Sequence, residues 1–154
     1  MTIEVDKDAV ATEELKELAT ALEETEARYR NIFNNAMEGI FQTDREGCII
    51  QANPSFARIH GYDSPDEVVN SLVTRELFVD PADHVRLMGV LRKSGSIENF
   101  EAQLRLKNGK THWISMNVMA FRDRSGRITS FEGTMLDITV RKRTAEALSE
   151  SEER

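Results

Sequence analysis

The sequence predicts an α+β domain: a five-stranded antiparallel sheet with short helices on one face and a linker helix at each end. Three observations carry this. Residues 39–53 and 100–139 alternate apolar and polar side chains with the two-residue period of strands, and short Gly-containing turns interrupt each group. All three prolines fall between the two groups, each directly after a residue that caps helices. Gly- and Pro-free stretches of helical periodicity flank the whole.

Between Glu13 and Ala36, Leu15, Leu18, Leu22, Thr25, Tyr29, Ile32 and Ala36 recur at alternating spacings of three and four, which is a heptad seam. Acids crowd its outer face and the apolar stripe is narrow, so a parallel partner chain is expected along Leu15, Leu18, Leu22 and Tyr29. The second half, "YRNIFNNAM", carries a broader apolar face and is expected to turn onto the domain. "GIFQTD", the turn "REG" and "CIIQAN" then read as a hairpin.

Asn53-Pro54, Ser64-Pro65 and Asp80-Pro81 each begin a helix, because proline loses nothing at the first helical position, where its N–H would be unpaired. Ser64 and Glu67 have the spacing of a capping box, Gly61 can end the first of these helices in the left-handed region, and the third runs to the Ser-Gly-Ser break at residues 94 to 96. "FEAQLRLK", "KTHWISMNVMAFR" and "RITSFEGTMLDIT" supply three more strands, with Asn108-Gly109 suggesting a type I′ turn between the first two. Short connections within each group imply antiparallel pairing.

Alternation also assigns faces. Ile114, Met116, Val118 and Ala120 share the apolar face expected to meet the helices, joined by Leu104 on the preceding strand and Phe131 and Met135 on the last. Trp113, Met119 and Phe121 point the other way and form an outer patch that the N-terminal helix or a second chain should cover.

The net charge of −7 belongs almost wholly to residues 1 to 28, which hold nine acids and three bases. The near-neutral remainder offers no basic footprint for nucleic acid, and no apolar run is long enough for a membrane span or signal peptide. The single cysteine, Cys48, reads as a small buried hydrophobe and fits a reducing, cytoplasmic compartment. No His, Cys and carboxylate set has metal spacing, no Ser-His-Asp or phosphate-loop pattern is present, and a non-enzymatic module is expected.

"RYRNIFNNAMEGIFQTD", "NPSFARIHGYDSPDEV", "DPADHVRLM", "KNGKTHWISMNVMAFRDRSGR" and "FEGTMLDITVRKR" together resemble the PAS/PAC (sensory box) domain of bacterial multi-domain signalling proteins, over roughly residues 28 to 140. The resemblance implies three parts: an N-terminal coiled-coil-like helix over 1–28, a PAS domain over 29–140 and a C-terminal signalling helix over 141–154. It further implies a pocket against the inner sheet face, with Leu104, Ile114, Met116, Val118, Phe131 and Met135 as candidate lining residues. Asp137, Ile138 and Thr139 would transfer the signal by fixing the angle of the exit helix, unless Asp137 is simply a helix cap. Asp137 is read as buried, with the basic residues at 141 to 143 pairing with it or with neighbouring acids.

The function this implies is sensory: binding a small molecule or relaying an upstream signal, then passing it to an output domain through dimeric helices. A ligand-free dimerisation or spacer domain and a haem or flavin redox sensor are the alternatives. In the related light-sensing domains amide side chains hold the flavin, whereas Leu104, Ile114 and Met135 stand at those positions here, and no helix carries the reactive cysteine. Haem-binding relatives place a histidine near Leu87, which leaves His84 as the candidate, read as a solvated or locally bonded side chain; His60 and His112 read as a helix end and a strand start. "ATALEETEAR" (19–28) and "AEALSESEER" (145–154) match at six of ten positions, as expected for linker helices on either side of one module in a string. Neighbouring PAS or output domains in a longer chain are the implied partners.

Overall fold

The computed structural model describes residues 6 to 153, so residues 1–5 of the N-terminal segment and residue 154 of the C-terminal one lie outside it. It divides into two compact units, the N-terminal helix ending at Asn35 and a domain beginning at Ala36. The first unit is α1 (Lys7–Asn35), longer than the seam suggested, because nothing between Lys7 and Glu13 breaks a helix. Leu15, Leu18 and Leu22 along its seam are each at least 60% exposed.

The second unit contains β1 (Gly39–Asp44), β2 (Ile49–Ala52), α2 (Pro54–Ile59), α3 (Pro81–Ser94), β3 (Ser96–Arg105), β4 (Thr111–Arg122), β5 (Ile128–Asp137) and α4 (Thr139–Glu153). The strands form one five-stranded sheet in the order β2-β1-β5-β4-β3, every neighbouring pair antiparallel. The two hairpin groups of the sequence thus meet at β1 and β5, where Phe41 stands opposite Gly133.

Each hairpin turns in the same way. Gly47, Gly109 and Gly126 donate their N–H to the carbonyls of Asp44, Leu106 and Asp123, and all three have φ between +86° and +88°. Asn108 is not in the positive-φ region, so its turn is a type I turn closed by a left-handed glycine instead of the expected type I′. The side chains explain the choice: Asp44, Asn108 and Asp123 each spend an Oδ1 on a backbone N–H two residues ahead, which holds the chain in the ordinary right-handed turn.

Two of the three expected helices form. Asn53 and Asp80 cap α2 and α3 with their side chains, while Gly95, at φ +81°, ends α3. The middle one is a single 3-10 turn, Pro65–Glu67, and the Ser64 side chain makes no cap bond. Glu67 reaches back one residue further, accepting the Asp63 N–H at 2.8 Å. Val68 is wholly buried and Asn70 takes a left-handed φ of 62°, so burial and a turn end the helix early. A further 3-10 turn, Thr74–Leu77, had no sequence signal. β3 begins at Ser96, ahead of the Phe100 expected, by means of a bulge between Ile97 and Phe100 in which Asn99 adopts φ 53°.

The core lies between the inner sheet face and these helical pieces. Phe41, Leu104, Ile114, Met116, Phe131 and Met135 rise from the strands to meet Phe56, Leu77, Leu87 and Leu91. The face assignment on β4 holds along the strand, with Ile114, Met116 and Val118 buried and Asn117, Met119 and Phe121 exposed. Asn53 ties the layers together: its Oδ1 accepts from the N–H groups of Ile40 and Phe56 at 2.8 and 2.9 Å, and its Nδ2 donates to the Glu38 carbonyl.

Candidate ligand cavity and signal-transfer junction

A cavity of about 200 Å³ lies between the inner face of the sheet and the segment containing α3 and the second 3-10 turn. Its floor is apolar: Leu104, Met116, Val118, Phe131 and Met135 line it from the strands and Leu87 from α3. These are five of the six strand positions picked from the sequence. Ile114, the sixth, is fully buried but lies outside the lining, because two residues of strand carry it about 6.6 Å beyond Met116.

An apolar cavity of about 150 Å³ is enough for benzene, so this one suits a single ring with a short substituent. It falls below the roughly 300–1,000 Å³ of sites for larger ligands, and a flavin or haem is too big for it. His84 lines the mouth half-buried, edge-on to Phe78 at 5.2 Å between ring centroids. It is thus a half-buried wall residue, where the sequence suggests a solvated or locally bonded side chain. Burial, then the guanidinium groups of Arg75 and Arg92, hold its pKa below the usual value. Cys48 is half-buried on the β2 side and carries a free thiol.

At the far end of β5 stands the junction with α4. The Thr139 hydroxyl accepts the Trp113 N–H at 2.9 Å, and the Ile138 N–H donates to the Trp113 carbonyl at 2.9 Å, so β4 grips the start of the exit helix. Asp137 Oδ1 accepts the Thr139 N–H at 2.9 Å, immediately before α4. Asp137 is not buried, its side chain being 43% exposed. Arg141 and Lys142 of α4 pair instead with Glu101, whose Oε1 lies 3.0 Å from Lys142 and 3.6 Å from Arg141. The Lys142 ammonium also sits 4.7 Å above the Trp113 ring, so α4 itself covers part of the outer patch, while Met119 and Phe121 stay exposed.

The partner of Asp137 is His112. Nδ1 of His112 lies 3.3 Å from Asp137 Oδ2. A carboxylate only accepts, so this nitrogen carries the proton. His112 is 4% exposed and meets His60, which is fully buried, edge-on at 5.5 Å between centroids. His60 Nε2 in turn lies 3.3 Å from the sulfur of Met135 in the cavity floor. The second nitrogen of each ring, His60 Nδ1 and His112 Nε2, is buried without a hydrogen-bond partner among the described residues.

Burial, with His112 adding to it and Asp137 opposing, pushes His60 down to about 3. Burial lowers His112 too, although Asp137 pulls the other way. For Asp137 itself burial raises the pKa, but the hydrogen bonds from Thr139 and the His112 ring outweigh it and leave the carboxyl below its usual value. Reading His60 and His112 as a plain helix end and strand start missed this row. The signal was present for His112, which falls in phase with Ile114, Met116 and Val118. His60 lies four residues after Phe56, on the buried side of α2.

A family model described as the PAS fold matches residues 27–138. The chain belongs to the PAS family. The PAS domain is similar to the sensor histidine kinase TmoS of Ectopseudomonas mendocina, at 31% identity over 140 residues covering 88% of this chain and 14% of that protein. Sporulation kinase C of Bacillus subtilis is 29% identical over 152 residues, which cover 92% of this chain and 35% of the kinase. The chain therefore spans far less than two thirds of these curated relatives. The solved PAS domain of an HTR-like protein from Haloarcula marismortui superposes with a TM-score of 0.63 at 24% identity, covering 80% of this chain and 99% of that one. At that identity the structural likeness shows the fold, and the family model makes the chain a PAS domain, similar to segments of two bacterial kinases. Among the described residues no helix is long and apolar enough to cross a membrane.

Proposed function

We propose that this PAS domain senses a small molecule in its cavity, or an input arriving through α1, and passes the change to an output domain through α4. One observation carries the reading: β5 belongs to both sites, with Met135 in the cavity floor and Asp137, two residues on, at the base of the exit helix. A shift of β5 would reach Asp137, Thr139 and the gripped Trp113 backbone without any intermediate element. Ile138 contributes as the buried pin between them.

The module acts as a homodimer, with Leu15, Leu18, Leu22 and Tyr29 meeting the same residues of a second chain. Their exposure supports this, since a heptad seam left in water gains nothing from its pattern. Phe121, with Met119, gives the outer sheet face a second contact region. Catalysis belongs to a domain outside these residues, as in a kinase, and the setting is the cytoplasm, where the lone Cys48 stays reduced.

The relay is tested by substituting Val118 with Phe in the cavity wall and following amide hydrogen exchange over residues 139–153. The expected result is altered exchange in α4, abolished when Asp137→Asn and Thr139→Val are added. Unchanged exchange in the V118F chain would refute the relay. Replacing Leu15, Leu18 and Leu22 together by Ser should yield monomers in sedimentation, and a persisting dimer would refute the seam.

A further inference from the structure

The cavity has a chemical polarity that its apolar floor hides. Three guanidinium groups, those of Arg45, Arg75 and Arg92, stand at its lining together with the single carboxylate of Glu46. Glu46 is taken by Arg45, at 3.5 Å. Arg75 and Arg92 have no ion-pair partner among the described residues, and each is near enough to His84 to act on it electrostatically. The lining therefore carries an excess of positive charge, three guanidinium side chains against one carboxylate.

The floor offers nothing similar. The buried polar side chain in its lining, Thr43, already donates its hydroxyl to the Asp44 carbonyl at 2.7 Å. A second charged group carried into the cavity would be stripped of water with no donor to receive it, which burial makes costly. A wholly apolar ligand would fill the floor but leave the two guanidinium groups unanswered. A cation would meet them at the mouth and be repelled.

Resting on the reading of the cavity as a ligand site, we propose that it binds a small monocarboxylate whose single ring or short chain fills the floor and whose carboxylate lies at Arg75 and Arg92. Guanidinium groups suit this end because their paired N–H donors match both carboxylate oxygens. His84 closes the same edge and, being neutral near pH 7, can add a hydrogen bond without competing for the charge.

Three probes of nearly one shape and three charges test the assignment: phenylacetate, 2-phenylethanol and 2-phenylethylammonium, titrated into the protein while the ε-methyl NMR signals of Met88, Met116 and Met135 are followed. All three methionines line the cavity. Phenylacetate is expected to bind at least about tenfold more tightly than 2-phenylethanol, with the ammonium compound weakest. In the Arg75→Gln, Arg92→Gln double variant, phenylacetate should fall to the level of the alcohol. Equal or tighter binding of the alcohol to the wild-type protein would overturn the anionic assignment and leave the cavity reading standing. If none of the three probes moves the methionine signals at millimolar concentration, both fail together. Unchanged phenylacetate affinity in the double variant would likewise overturn the role of the two arginines.

Discussion

Replacing His60 by Leu should flatten the acid side of the stability curve. In the folded protein burial holds His60 down to about 3, whereas in the unfolded chain it returns to 6.5. A histidine with a lowered folded value favours the native state fully above pH 6.5, and that contribution is lost as pH falls toward 3, because only the unfolded chain takes up the proton. Each unit of difference is worth about 1.36 kcal/mol, so the linkage removes roughly 2 kcal/mol between pH 7.5 and pH 5 and approaches about 5 kcal/mol near pH 3. The pH 5 figure hardly depends on the native value, provided that value lies below about 4. Urea unfolding of wild type and H60L at pH 7.5 and pH 5 reads the difference directly, since the other titrating groups are common to both chains. Equal losses in the two proteins, within about 0.5 kcal/mol, would refute the claim that His60 is buried in its neutral form.

Gly133→Ala should destabilise the domain by about 1–3 kcal/mol through overpacking, because a Cβ there would run into the Asn117 carbonyl oxygen and stand 2.9 Å from the Phe41 ring. The same change pushes Phe41 into the cavity, so thermal unfolding and probe binding should fall together. Asn53→Ala should cost roughly 3 kcal/mol, from a lost helix cap and two part-buried backbone groups, the Ile40 N–H and the Glu38 carbonyl, left without this partner; a shift of the urea midpoint worth less than about 1 kcal/mol would contradict the role assigned to that side chain. Trp113→Ala should loosen the first turn of α4, where Lys142 rests on the indole, and faster amide exchange at residues 139–143 would register it.

What the sequence made legible followed from periodicity and backbone chemistry. β4 is long enough for its two-residue alternation to separate Ile114, Met116 and Val118 from Met119 and Phe121, and the prolines at 54 and 81 mark real helix starts. Where one residue competes between two roles, the pattern failed. Ser64 and Glu67 satisfied the spacing of a capping box, but the burial of Val68 decided the local conformation. Asn108-Gly109 carries the signal of one turn type, yet its side chain stabilises another. The row from Met135 through His60 and His112 to Asp137 joins three segments far apart in the chain, the end of α2, the start of β4 and the end of β5, and no window along the sequence contains it. Nor could the sequence measure the cavity, whose size depends on how closely α3 approaches the sheet.

The exit helix is held only at its base. Ile138, Thr139, Arg141 and Lys142 bond to or pack on the sheet, while none of the residues from Thr139 to Glu153 is buried. Mechanically α4 is a lever with its fulcrum at Trp113. Its 15 residues extend about 22 Å, so a tilt of only about 5° at the fulcrum would carry the far tip through about 2 Å over that length. Displacements too small to see within the sheet would be magnified at the free end of this lever.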